Sequence, residues 1–120
     1  MSSHQRILVV AQHGRVAELL AEFCAAAGRE ALHPLTGETP DAACARVLPR
    51  LLILDFELPH TLRDAYRARL EAANARLLLF SGCCRGGDLR THAASEGLPY
   101  FTLPIAWRDF VPVLDAALAG

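Results

Sequence analysis

Short apolar runs and helical stretches alternate along the whole chain. Ile7-Leu8-Val9-Val10 has no polar break, the pattern of a strand covered on both faces. Residues 14–27 follow with Val16, Leu19, Leu20 and Phe23 at helical spacing, and Gly28 stands where such a helix stops. A weaker strand is expected over 30–34. Thr39-Pro40-Asp41 then opens a helix, with Thr39 as N-cap and Pro40 at the first helical position, and Pro49 helps to end it. Leu51-Leu52-Ile53-Leu54 runs into Asp55, and a helix from 61 or 62 to 73 carries Tyr66 and Leu70 on one face. Leu77-Leu78-Leu79-Phe80 runs into Ser81-Gly82, and a short helix over 88–96 is stopped by Gly97. Tyr100-Phe101-Thr102 makes a brief last strand closed by Pro104. The final helix, 108–119, carries Phe110, Val111, Leu114 and Leu118, with Pro112 tolerable only in its first turn.

Five strand–helix units in 120 residues, with near-continuous apolar strands, predict an α/β fold: a doubly wound parallel sheet with helices on both faces. Residues 1–120 read as a single domain, with no linker or internal repeat to divide them. In such sheets chemistry gathers at the carboxyl ends of the strands. That rule selects Ala11-Gln12-His13, Asp55-Phe56-Glu57, Ser81-Gly82-Cys83-Cys84 and Leu103-Pro104.

Composition narrows the functions open to these strand ends. The chain is 52% hydrophobic with a formal net charge of −1, so it has a sizeable core and no basic field for nucleic acid or anionic lipid. No apolar run approaches the length of a membrane span, and Met1-Ser2-Ser3-His4-Gln5-Arg6 lacks a signal peptide's apolar stretch, so a cytoplasmic location is expected. All twelve basic residues are arginine. Chemistry that needs a lysine ammonium, a P-loop included, is thereby excluded. No G-x-G-x-x-G follows the first strand, and no nucleophile–base pair is evident, so an enzyme is not expected. Cys24 and Cys44 read as small buried apolar residues, and His4, His33, His60 and His92 as surface or turn residues.

Over essentially its whole length the sequence resembles the response-regulator receiver family. Asp55 followed by Pro59 reproduces the D-x-x-x-P pattern around that family's phosphoacceptor. Ser81-Gly82 resembles its Ser/Thr followed by a small residue, Tyr100 its switch aromatic, and Leu103-Pro104 its Lys-Pro pair in the proline alone. The resemblance implies a flavodoxin-like sheet in the order 2-1-3-4-5, with Asp55 at the phosphoacceptor position and Ser81 and Tyr100 at switch positions. It also implies a partner surface on the fourth helix, fifth strand and fifth helix, near Arg90, Tyr100 and Arg108, suited to a protein partner, a fused effector domain or a homodimer.

The departures from the family pattern fall on the chemistry. Ala11-Gln12 stands where receivers carry two acidic residues, and Leu103 where they carry lysine. Mg²⁺ wants about six oxygen ligands, commonly carboxylates with phosphate and water, so its binding is expected to be weak or absent and no cofactor is expected. The side chain of Glu57 occupies a position where the family uses backbone. The expected function is therefore that of a degenerate, pseudo-receiver signalling module acting through protein–protein interaction, probed against two alternatives. One is a phosphoacceptor receiver of a two-component relay, modified at Asp55. The other is a small-ligand or metal sensor using the vacated pocket, with Cys83, Cys84 and His13 as candidate ligands. Trp107, just past Leu103-Pro104, is expected to report on that pocket.

Overall fold

The computed structural model describes residues 6–82 and 86–119. Five strands, β1 (Ile7–Val10), β2 (Ala31–Leu32), β3 (Leu51–Asp55), β4 (Arg76–Ser81) and β5 (Tyr100–Thr102), alternate with five helices. The helices are α1 (Gly14–Ala26), α2 (Pro40–Val47), α3 (His60–Ala73), α4 (Gly86–Glu96) and α5 (Trp107–Ala119). All strand pairings are parallel, in the order β2-β1-β3-β4-β5. The α/β, (βα)₅ flavodoxin-like fold expected from the sequence is the one observed.

Alternation of side chains along each strand divides the core in two. Ile7, Val9, Leu51, Ile53, Leu78 and Phe80 face α1 and α5. Leu8, Val10, Leu52, Leu54 and Leu79 face α2, α3 and α4. The first face is joined by aromatic contacts: Phe80 stacks on Phe101 at 5.4 Å, and Phe110 meets Phe101 edge-on at 5.3 Å and Phe23 at 5.6 Å. Such pairs add about 0.5–1.5 kcal/mol each beyond the area they bury. Cys24 and Cys44 are buried, in the small apolar roles expected of them. No helix among the described residues is long and apolar enough to cross a membrane.

Local chemistry explains most boundaries. Thr39 caps α2, its Oγ1 accepting from the Ala42 N–H at 3.1 Å. Gly28 and Gly97 lie at φ +80° and +66° just beyond α1 and α4, conformations that favour glycine. Several details refine the sequence reading. β2 is only two residues long and half-buried, because it lies at the sheet edge where little apolar surface is required. α2 ends ahead of Pro49 as expected, with Leu48 as its cap in the left-handed conformation at φ 52°, donating its N–H to the Cys44 carbonyl. α3 begins at His60, directly after Pro59. Pro112 lies in the second turn of α5, since the helix begins at Trp107 and continues through it. The burial of Phe110, Leu114, Ala117 and Leu118 holds the helix across the proline.

Pro112 is exposed and has no N–H to give the carbonyl of Arg108. Replacing it with alanine is expected to stabilise the fold by about 1–3 kcal/mol. The change should appear as a higher urea midpoint at unchanged slope. Alkali tests the core from another direction. Burial pushes the Cys24 thiol from 9.0 up to about 12. Burial, with lesser contributions from Cys44 and Glu38, pushes the Tyr66 hydroxyl from 10.0 up to about 12. Both groups hold their protons more tightly when folded, so this stability is fully present below pH 9 and declines as pH rises through 9 towards about 12. Denaturation midpoints should fall across that window, and Cys24→Ala should flatten the fall.

Candidate functional site

The carboxyl ends of β1, β3, β4 and β5 are joined by a chain of hydrogen bonds. Asp55, the last residue of β3, is 4% exposed. One of its oxygens, Oδ2, accepts the backbone N–H of Gln12 at 2.9 Å, and the other, Oδ1, accepts the backbone N–H of Glu57 at 2.9 Å. A buried carboxylate needs such donors, and both come from main chain at strand ends. The Gln12 side chain itself is exposed. A turn after β3 is closed by the Leu58 N–H on the Asp55 carbonyl at 3.3 Å, and Phe56 N–H reaches the Phe80 carbonyl at 2.7 Å.

Glu57 carries the connection onward. Its Oε2 accepts the Ser81 hydroxyl at 3.0 Å and the Gly82 N–H at 3.0 Å. The Leu103 N–H in turn donates to the Ser81 carbonyl at 3.0 Å, which ties the end of β5 to the end of β4. Ser81 is 1% exposed. The side-chain hydrogen bonds of Glu57 are the feature of these strand ends that sequence reasoning missed. Its signal was limited to a carboxylate two residues beyond a strand-end aspartate, a place where the resemblance gives weight to backbone alone.

The structure brings Ala11, Gln12, Asp55, Ser81 and Leu103 to one end of the sheet. Ala11 and Leu103 are half-buried and pack against the core cluster on the α1–α5 face. Tyr100 is half-buried against the opposite cluster. Trp107 differs from expectation: its indole N–H donates to the Phe23 carbonyl of α1 at 3.0 Å, so it reports on the α1–α5 contact. His13 is the N-cap residue of α1 and makes no side-chain cap bond. Cys83 and Cys84 lie outside the described residues. Among the described residues no group of three or more His, Cys, Asp or Glu side chains is placed to hold a metal ion.

Beside the end of β3, Phe56 is covered by Arg63, whose guanidinium carbon lies 4.4 Å from the ring centroid, and by His92 of α4 at 5.3 Å. His92 also meets Glu96 at 2.8 Å, and Glu96 pairs with Arg67 of α3. His92 is thus not the plain surface residue expected, but part of the contact between α3 and α4. A cavity of about 530 Å³ lined by Arg50, Arg67, Leu70, Arg76, Leu98 and Pro99 lies at the amino ends of β3, β4 and β5, away from Asp55.

No family model and no curated protein matches the sequence. Solved structures do match in fold. A response regulator receiver protein from Burkholderia phymatum superimposes with a TM-score of 0.77 at 19% identity, covering 95% of this chain and 94% of that one. A CheY-like response regulator receiver domain protein from Methanospirillum hungatei gives 0.70 at 18% identity, covering 98% and 95%. NtrX from Brucella abortus in complex with ATP gives 0.77 at 20% identity, covering 98% of this chain but 27% of that one. At these identities the likeness is one of fold: the chain has the architecture of response-regulator receiver structures.

Proposed function

We propose that the chain is an atypical receiver-like signalling module that works by protein–protein contact, independently of phosphorylation at Asp55. The observation that carries this reading is the packing of Ala11 and Leu103. Both side chains lie against the core on the α1–α5 face. They hold positions where the family resemblance calls for an acidic residue and for lysine. An apolar side chain there is part of the protein interior, and it supplies neither a metal ligand nor a charge for phosphoryl oxygens.

The physical consequence is severe for phosphoryl transfer, which depends on metal and cationic stabilisation of charged oxygens. Mg²⁺ keeps a near-octahedral shell of oxygens. Asp55 directs both oxygens to backbone N–H groups, Ala11 has no side-chain oxygen, and Gln12 points an exposed amide. These strand ends do not fit a Mg²⁺ site built on an acidic cluster, and no chemical step is assigned to one. Ser81 and Tyr100 then serve as structural residues of the β4 and β5 ends. The module acts by contact, not by catalysis.

The partner surface in this reading is the face formed by α4, β5 and α5. β5 is a sheet edge, and Arg90 and Arg108 are exposed on the helices flanking it. A fused effector domain, a separate protein or a second copy of the chain would dock there. The match to only part of NtrX supports the first arrangement.

Acetyl phosphate with Mg²⁺, followed by intact mass and peptide mapping, tests the central claim. The natural sequence should gain no phosphoryl group at Asp55. The triple variant Ala11→Asp, Gln12→Asp, Leu103→Lys should label at Asp55 at least roughly 100-fold above the detection limit set by the natural sequence, since restoring even one charge-stabilising group is worth that much. Mg²⁺ should raise the melting temperature of the variant and leave the natural sequence unchanged. Equal labelling of the two would instead make Asp55 a working phosphoacceptor.

A further inference from the structure

Arg76, the first residue of β4, carries a buried polar atom with nothing to bond. Its Nε is sealed from solvent, and among the described residues it is the one buried side-chain nitrogen or oxygen without a hydrogen bond. A guanidinium N–H withdrawn from water without an acceptor is costly, so such an atom marks a place where an acceptor belongs. Arg76 lines the cavity of about 530 Å³ at the amino ends of β3, β4 and β5, a volume in the range of small-molecule sites. Leu70, Leu77 and Leu98 give this cavity an apolar side. Its rim is main chain already tied down, with Arg76 N–H on the Arg50 carbonyl at 2.9 Å and Leu98 N–H on the Ala93 carbonyl at 2.9 Å.

Charge decides what the cavity takes. Arg50, Arg67 and Arg76 line it, and Glu71 is the acidic residue among its lining. Arg67 is matched by Glu96, whereas Arg50 and Arg76 have no ion pair among the described residues. Two unmatched cations against one carboxylate leave room for a single negative charge. The last carbonyls of α3, which could otherwise draw these cations, are taken by their own chain: Asn74 N–H donates to the Glu71 carbonyl at 3.3 Å and Ala75 N–H to the Leu70 carbonyl at 3.0 Å.

We propose that this cavity binds a small organic monocarboxylate, with its carboxylate on Arg76 and Arg50 and its apolar body against Leu70, Leu77 and Leu98. A guanidinium presents its donors in a fixed fork that fits a carboxylate. Glu71 opposes a second negative charge, which makes a phosphate dianion the poorer ligand. The site lies at the opposite end of the sheet from Asp55 and stands apart from the manner in which the chain signals.

Benzoate titrated into the isotope-labelled chain, followed through its amide resonances, tests the site. A saturable shift centred on Ala75, Leu77 and Leu98 is expected, with Gln12 and Gly82 unmoved. Benzyl alcohol, the same ring without charge, and phenyl phosphate, the same ring with a second charge, should each bind at least roughly 10-fold more weakly, the scale of one hydrogen bond to a charged group. Arg76→Gln should weaken benzoate by a similar factor, and Glu71→Gln should tighten it by roughly 2- to 5-fold. If Arg76→Gln does not fold, Arg50→Gln, at an exposed position, is read in its place and should also weaken benzoate. No saturable shift up to roughly 10 mM benzoate, or shifts centred away from the cavity, would overturn the site. So would equal binding of benzyl alcohol, tighter binding of phenyl phosphate, or an affinity unchanged in the arginine variant.

Discussion

A parallel strand crossed by helices on both sides has no face left for water, and this double coverage is the constraint on which the rest of the structure depends. Along β1 and β3 every residue from Ile7 to Val10 and from Leu51 to Leu54 is apolar and buried. Polar groups can enter only where a strand stops, because there the main chain offers donors that the ladder has left over. Asp55 and Ser81, the buried polar residues among those described, are both final residues of their strands. The site is therefore a product of the topology: four strand ends lie side by side, and their leftover N–H groups must be satisfied by side chains in reach.

Satisfaction here is internal. Gln12, Asp55, Glu57, Ser81 and Gly82 exchange hydrogen bonds in a line across the strand ends, with Leu103 N–H joining through the Ser81 carbonyl. The Asp55 and Glu57 carboxylates accept from main chain and from a hydroxyl of the same chain, which makes the cluster a firm joint between β1, β3, β4 and β5.

The sequence carries the fold in its strongest runs. β1, β3, β4 and β5 are legible because buried parallel strands tolerate no polar interruption, and Thr39, Gly28 and Gly97 mark helix ends through capping and backbone freedom. Weak burial blurs the bounds of β2, expected over 30–34 and found at Ala31–Leu32, and the exposed Leu48 takes its left-handed stop directly before Pro49, which cannot continue a helix. Pro112 misleads for the opposite reason: local propensity forbids it in a second turn, and the buried face of α5 overrides the prohibition. Within the site, the burial of Ala11 and Leu103 follows from their type and place, whereas the reach of Glu57 to Ser81 does not. A long polar side chain in a turn has many rotamers, and only the position of the adjacent strand end selects one.

The manner in which α4 is attached has a consequence for how this protein moves. Leu89 and Ala93 are its buried apolar anchors among the described residues, while Glu96 binds it to α3 through Arg67 and to its own His92. Two apolar anchors bury less area than the four of α5, and partly exposed ion pairs weaken as salt screens them. Amide hydrogens of α4 should thus exchange through local opening well before those of β1 and β3, and earlier still at high ionic strength. Such opening would free α4 from β4 and β5 and leave the paired β1 and β3 in place.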